Sequence, residues 1–102
     1  MTEIEELQAK LREFRDARGW RKYHTPKNLA MALCGESGEL AALFQWLTPE
    51  QSKNPPRVAV RDELADVFIY LVQLADALSI DLVVAAHGKI EKNAAKYPAP
   101  ES

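Results

Sequence analysis

Residues 29–47 read LAMALCGESGELAALFQWL, and this stretch is the clearest indication of the fold. Leucines recur in it at alternating steps of four and three residues, with one glutamate among them. This spacing predicts a helix that packs along one face, here called the seam. The seam positions are Leu29, Leu33, Glu36, Leu40, Leu43 and Leu47. Glu36 is therefore a carboxylate within a leucine seam, and Glu39 lies about one helical turn further on. Because buried carboxylates are costly unless a positive charge compensates them, this helix is predicted to carry a binding site.

A second helix with the same pattern is predicted over about Pro56–Leu78. Its seam consists of Val60, Leu64, Val67, Leu71, Leu74 and Leu78. Glu63, Asp66 and Tyr70 form a polar stripe directly beside that seam. A further apolar flank, formed by Phe68, Val72 and Ala75, indicates that this helix packs on more than one neighbour.

Two more helices complete an all-α prediction, since no stretch shows convincing strand alternation. Thr25, followed by Pro26, and Asp81 are predicted to cap the second and fourth helices. The loop TPEQSKNPP, residues 48–56, is predicted to be mobile or lid-like, and residues 97–102 to be a flexible tail. The four helices are predicted over about Thr2–Arg18, Pro26–Leu47, Pro56–Leu78 and Leu82–Tyr97.

Composition indicates one soluble domain over residues 1–102. The net charge of −2 gives no support for a nucleic-acid polymer or an anionic membrane as partner. The N-terminus has no apolar signal region, and no apolar run approaches the roughly 20 residues that span a bilayer. The single cysteine, Cys34, favours a reducing cytoplasm and is predicted to be a small buried hydrophobe.

The two acidic pairs predict a metal site between facing helices. Glu36, Glu39, Glu63 and Asp66 offer only hard oxygen ligands, which suit Mg²⁺ or Mn²⁺. No histidine lies three or four residues after any of them, which disfavours zinc and di-iron sites. The competing interpretation is that these carboxylates are ordinary solvated surface groups, as most helical acids are.

Other polar and aromatic residues have both a structural and a functional interpretation. His24 suits a surface loop, and Trp46 suits a core, an interface or a stack on a nucleobase. Lys89, Lys92 and Lys96 suit a solvated helix C-terminus or neutralisation of a triphosphate. Asn93 is a poor helix former, and it suits a surface position with little effect on stability as well as it suits a functional one.

The pattern as a whole resembles the MazG-like, all-α nucleoside triphosphate pyrophosphohydrolases, in particular the small branch that includes dCTP pyrophosphatases. The resemblance covers nearly the whole chain, and the order and spacing of its motifs are more specific than any single acidic pair. The matching stretches are HTPKNL (24–29), GESGELAALFQW (35–46), DELADVFIYLVQLAD (62–76), IDL (80–82) and KIEKNAAKYP (89–98).

The resemblance implies cleavage of a nucleoside triphosphate between its α- and β-phosphates. It implies that Glu36, Glu39, Glu63 and Asp66 bind Mg²⁺, with Glu36 or Glu39 orienting or deprotonating the attacking water. It implies a nucleoside pocket lined by His24, Trp46 and Tyr70. It also implies that the phosphates and the sugar are bordered by Lys89, Asn93, Lys96 and Tyr97.

The resemblance also implies a four-helix bundle assembled as an interlocked dimer or tetramer, with sites between subunits. Gly35 before Glu36 and Ala42 further on replace acids found in some relatives, which leaves the number of metal ions open. The expected function is hydrolysis of dCTP or a modified dCTP, or also of dATP, in nucleotide-pool sanitation. The alternative is a non-catalytic, homo-oligomeric helical module that binds a nucleotide or a regulatory partner.

Overall fold

The computed structural model describes residues 1–101, and within them every regular element is helical. The all-α prediction is therefore confirmed. Residues 97–101 follow the last helix without regular structure, and Ser102 of the predicted tail lies outside the described residues. Short 3₁₀ turns lie at Arg21–Tyr23 and Gln51–Lys53. The four α-helices are α1 (Glu3–Ala17), α2 (Pro26–Ala42), α3 (Arg57–Ala77) and α4 (Leu82–Lys96).

Side-chain caps begin three of the helices. Thr2 accepts a hydrogen bond from the backbone N–H of Glu5 at 3.1 Å, and the Glu5 side chain accepts one in return from Thr2. Thr25 caps α2 and Asp81 caps α4 in the same manner, at 3.2 and 3.1 Å. Each cap satisfies an amide that has no partner within its helix, and both predicted caps are confirmed.

Helix α3 is the element on which α1 and α2 pack. Gln8 donates a hydrogen bond to the Val72 carbonyl, and Arg12 donates to both carboxylate oxygens of Asp76, at 2.8 and 2.7 Å. Because these contacts advance together along both helices, α1 runs parallel to α3. Helix α2 runs antiparallel to α3, since its start meets the end of α3 and its acidic turn meets Glu63. Among residues 1–101, the buried residues are Leu29, Val72 and Ala75, of which Val72 is fully buried.

The predicted apolar seam of α3 is wrong in part. Leu64, Leu71 and Leu78 are exposed, whereas Val72 and Ala75, assigned to the second flank, are buried. A helix that is apolar over a wide arc can present any part of it to a neighbour. Contacts with α1 and α2 bury Val72 and Ala75 of the second flank, and they leave Leu64, Leu71 and Leu78 of the seam exposed.

The predicted C-terminal boundary of α2 at Leu47 is also wrong. The α-helix ends at Ala42, and the chain beyond it forms tighter turns. In these turns the amide of Phe44 donates to the carbonyl of Ala41, and the amide of Leu47 donates to the carbonyl of Phe44. Such i to i+3 bonds are common where a helix ends. Trp46 consequently lies outside the helix and is 87% exposed.

Cys34 is exposed, which corrects the prediction of a buried cysteine. Its position on α2 lies off the seam that faces α3. Since α2 packs chiefly on that one neighbour, the flank that carries Cys34 remains uncovered.

Helix α4 turns away from α3 by 97° and contains no fully buried residue. Several of its apolar side chains, among them Val83, Val84 and Ile90, are exposed. In residues 1–101 no single helix is long and apolar enough to cross a membrane, although the bent pair of α3 and α4 meets that length and composition together.

Candidate active site

Three carboxylates converge between α2 and α3. One oxygen from each of Glu36, Glu39 and Glu63 lies within 4.8 Å of the other two. Glu36 and Glu39 are one turn apart on α2, and Glu63 approaches from the antiparallel α3. The arrangement follows from the seam, because Glu36 occupies a position that faces the partner helix.

The electrostatics of this acidic cluster, Glu36, Glu39 and Glu63, are unfavourable without a cation. Desolvation, and then the neighbouring Glu39 carboxylate, raise the pKa of Glu36 to about 7. Desolvation followed by Glu39 also raises the pKa of Glu63. The Oε2 atoms of Glu36 and Glu63 are buried without a hydrogen-bond partner. These free hard-oxygen donors fit a divalent cation such as Mg²⁺.

Asp66 lies beside the acidic cluster rather than within it. It is half-buried, one turn beyond Glu63 on α3, and its charge contributes to the raised pKa values of both Glu36 and Glu63. The structure thus brings together three of the four carboxylates predicted to bind metal, with the fourth adjacent. Tyr70, also half-buried, continues the same face of α3 by about one further turn.

His24 is half-buried at the other end of the hairpin formed by α2 and α3. It shares a cavity, the α1–α3 cavity, whose lining includes Gln8, Arg12, His24, Leu29, Gln73 and Asp76. Desolvation, followed by the charge of Arg15, lowers the pKa of His24, which favours the neutral imidazole. The Trp20 ring lies beside it, with centroids 6.4 Å apart.

The structure separates His24 from Trp46 within one chain. His24 precedes α2 and Trp46 follows it, so the 17 residues of the helix, about 25 Å, lie between them. Trp46, which the sequence placed within the second helix, lies beyond its end, because α2 ends at Ala42. One copy of the chain therefore does not bring these two residues to the same nucleoside.

The α4 residues predicted to border the phosphates are all exposed. Within residues 1–101, no hydrogen bond or ion pair joins them to the acidic cluster, and the ammonium of Lys96 lies over the adjacent Tyr97 ring at 5.3 Å. Their separation follows from the 97° turn between α3 and α4. These residues are Lys89, Asn93, Lys96 and Tyr97.

The sequence interpretation missed Gln73, whose Oε1 atom is buried without a hydrogen-bond partner. A signal was available, because Gln73 lies three residues after Tyr70 and seven after Asp66. It therefore extends the polar stripe of α3 by one more turn in an otherwise apolar stretch.

Comparison with known proteins shows the family. The model of the MazG-like family matches residues 33–102. The chain belongs to the MazG-like family. This confirms the resemblance in the motifs of α2 and α3, whose carboxylates converge in the structure.

Individual relatives extend the MazG-like match to nearly the whole chain. The chain is 43% identical over 101 residues to human "dCTP pyrophosphatase 1", and 41% identical over 100 residues to the rat protein of that name. The match spans 94% of this chain for the human protein and 93% for the rat protein. In both cases it spans only 59% of the length of the relative. A crystal structure of a pyrophosphatase from Archaeoglobus fulgidus superposes with a TM-score of 0.90 at 44% identity, covering 97% of this chain and 95% of that one.

Proposed function

We propose that this chain, acting as one domain over residues 1–102, hydrolyses a deoxynucleoside triphosphate to the monophosphate and pyrophosphate. The proposed substrate is dCTP or a modified dCTP, and the cofactor is Mg²⁺, with Mn²⁺ as a substitute. The observation that carries this proposal is the convergence of Glu36, Glu39 and Glu63, with two buried oxygens lacking partners. The names of the mammalian relatives support the substrate.

The acidic cluster and Asp66 would hold the cation, which supplies charge neutralisation for the triphosphate and its transition state. Glu36 or Glu39 would orient the attacking water and accept its proton. Attack at the α-phosphorus breaks the bond to the β-phosphate and releases pyrophosphate. Since Glu39 is exposed whereas Glu36 is half-buried, Glu39 has the freer access to a water molecule at the mouth of the cluster.

Substrate binding is proposed to involve two copies of the chain. His24 and Tyr70 would contact the nucleoside from the copy that supplies the carboxylates. Trp46 lies too far from His24 in one chain, so it would reach the nucleoside from another copy. The α4 residues Lys89, Asn93, Lys96 and Tyr97 would approach the phosphates and sugar in the same way. A dimer or tetramer is therefore part of the proposal.

The proposed setting is the cytoplasm, where Cys34 remains reduced and deoxynucleotides are available. The proposed role is removal of unwanted or excess deoxynucleoside triphosphates.

A panel of deoxynucleoside triphosphates tests the reaction. With Mg²⁺ we expect dCMP and pyrophosphate from dCTP, and excess chelator should abolish the reaction. Glu39→Gln keeps the size of the side chain but removes its charge, so turnover should fall by about 10² or more. Glu50→Gln is the matched control, because Glu50 is exposed, pairs with Lys53 at 3.0 Å and lies outside the cluster.

Formation of dCDP and orthophosphate, or hydrolysis that persists in chelator, would contradict the proposal. Tight binding of dCTP without turnover would instead favour the alternative of a non-catalytic nucleotide-binding module.

A further inference from the structure

The α1–α3 cavity is small and mostly polar. Its volume is about 40 Å³, and holding one water molecule requires roughly 10–15 Å³. The cavity is therefore too small for a base or a sugar, but it has room for about three water molecules at most. Because empty cavities in proteins are typically apolar, its lining favours water. The polar residues of this lining are Gln8, Arg12, Arg15, His24, Gln73 and Asp76.

Gln73 supplies an acceptor for such a water. Its Oε1 atom is inaccessible to solvent, and within residues 1–101 it has no hydrogen-bond partner. Buried polar atoms are paired with a protein group or with ordered water in the great majority of cases. An unpaired buried acceptor costs stability, whereas an apolar side chain at this position beside Val72 would carry no such cost. A water that donates to the Gln73 oxygen removes the cost.

Arg15 supplies donors on the opposite helix. The neighbouring Arg12 guanidinium is occupied by Asp76, with which it pairs at 2.8 and 2.7 Å. Arg15 donates from Nε to Asp16 at 2.8 Å, and a guanidinium has four further N–H groups at its terminal nitrogens. Its side chain is only 17% exposed and lines the cavity. Arg15 can therefore donate to the oxygen of a water in the cavity.

His24 lines the cavity together with Gln73 and Arg15. Desolvation, followed by the charge of Arg15, lowers the pKa of His24 and favours the neutral imidazole. A neutral imidazole has one nitrogen that accepts a hydrogen bond and one N–H group that donates. A water that accepts from Arg15 has two hydrogens to donate, one for Gln73 Oε1 and one for the accepting nitrogen of His24. Because the cavity has room for so few waters, these three groups can share one.

We propose that the α1–α3 cavity is a binding site for ordered water, and that Gln73 acts through this water as a positioning residue for His24. The water donates to Gln73 Oε1 and to one ring nitrogen of His24, which holds the imidazole in a single neutral tautomer. The other ring nitrogen then carries the hydrogen and is a donor toward a ligand. This last step rests on the proposed function, and it pairs His24 with an acceptor atom of the nucleoside.

The tautomer of His24 tests this inference without any substrate. Gln73→Met keeps the length of the side chain but removes the acceptor, so the water loses the contact that orients it. Long-range ¹H–¹⁵N NMR spectra of the ring distinguish the two neutral tautomers. At pH 8, above the lowered pKa of His24, we expect one tautomer in the wild type and a mixture in Gln73→Met. A mixture in the wild type, or the wild-type tautomer in Gln73→Met, overturns the inference.

Thermal unfolding gives an independent test, because a wet and a dry cavity predict changes of opposite sign. If a water pairs with Gln73, Gln73→Met leaves a hydrogen of that water unpaired and lowers Tm. If the oxygen has no partner, the same substitution removes a buried unpaired acceptor and raises Tm. A Tm of Gln73→Met at or above that of the wild type therefore overturns the inference.

Leu7→Ala is the matched control. Leu7 is half-buried on α1 and is not among the residues that line the cavity. Its truncation should lower Tm but leave His24 in the wild-type tautomer. The same mixture of tautomers in Leu7→Ala as in Gln73→Met would show that loosened packing of α1 changes His24, and it would overturn the positioning role of Gln73.

Steady-state kinetics with dCTP tests the link to the nucleoside. If His24 donates to the nucleoside, Gln73→Met should raise KM about fivefold, the size of one hydrogen bond, with little change in kcat. An unchanged KM overturns that link. If no triphosphate is hydrolysed, the proposed function fails, whereas the tautomer of His24 and the Tm of Gln73→Met still decide whether the cavity binds water and positions His24.

Discussion

Glu36 lies in a seam of leucines with its carboxylate against Glu39 and Glu63. Desolvation first, and then Glu39, raise its pKa from the ordinary value of 4.5 to about 7. The folded chain therefore holds this proton more tightly than the unfolded chain does. The resulting stability is fully present below pH 4.5 and is lost as the pH rises through 7. A bound cation would favour the charged form of Glu36, because its positive charge compensates the neighbouring carboxylates.

We therefore predict that the metal-free protein loses stability between pH 5 and pH 8, through the raised pKa of Glu36. Glu36→Gln should flatten this dependence and raise Tm at pH 8, since the amide carries no charge. Saturating Mg²⁺ should stabilise the wild type at pH 8, by about 2.7 kcal/mol at a hundred times Kd, and the variant much less.

Thermal unfolding of both proteins across this pH range, with and without Mg²⁺, measures the effect. Glu50→Gln serves as the control, because its carboxylate is exposed and paired with Lys53. Equal Mg²⁺ stabilisation of wild type and Glu36→Gln would show that the cation binds elsewhere.

At the scale of elements, α1 and α3 end with the same backbone motif but with different residues. After α1, Gly19 has a φ of 66°, and the amides of Gly19 and Trp20 bond to the carbonyls of Asp16 and Arg15. After α3, Ser79 has a φ of 54°, and the amides of Ser79 and Ile80 bond to Asp76 and Ala75. This is the Schellman arrangement, in which glycine avoids the steric cost of the left-handed conformation.

Ser79→Gly should therefore stabilise the chain by about 1 kcal/mol, because it removes that cost at the corner between α3 and α4. Equilibrium urea unfolding measures the change. Ser52→Gly is the control: Ser52 is not among the residues with positive φ, so this substitution should bring no gain. Loss of stability in Ser79→Gly would mean that the serine side chain contributes more than the backbone strain costs.

At the scale of the whole molecule, the chain is too extended to bury its own apolar surface. Its radius of gyration is 16.9 Å, whereas a compact domain of this length has about 13 Å. Leu64 is 51% exposed and Phe68 is 42% exposed on α3, and Val83 and Ile90 are exposed on α4. An apolar surface of this kind, spread over two helices, is typical of an interface that another subunit covers.

We predict that the protein in solution has at least twice the mass of one chain, 11.5 kDa. Phe68→Glu places a charge in the exposed apolar surface and should shift the protein toward the monomer, since burying an unpaired carboxylate is costly. Light scattering coupled to size-exclusion chromatography measures both masses. Lys10→Glu, at an exposed polar position of α1, should leave the assembly unchanged. An active species of 11.5 kDa would contradict the proposed assembly.

Four helices, the caps of α2 and α4, and the pairing of the acidic turns of α2 and α3 could be predicted from the sequence. These features depend on local chemistry: Thr25 and Asp81 cap the amides that follow them, and the seam spacing sets the face of α2 that carries Glu36. The motifs around the carboxylates also identified the family, since their order and spacing are visible without coordinates.

The packing of the helices was needed to establish which arc of α3 is buried, where Trp46 lies, and that the Oε1 atom of Gln73 has no hydrogen-bond partner. Periodicity shows that α3 is apolar over a wide arc, but it does not show which part meets a neighbour. The position of Trp46 depended on whether α2 continued past Ala42, and helix ends depend on competing backbone bonds. The unpaired oxygen of Gln73 depends on how α1, α2 and α3 enclose it, because hydrogen bonding at a buried atom is set by every element around it.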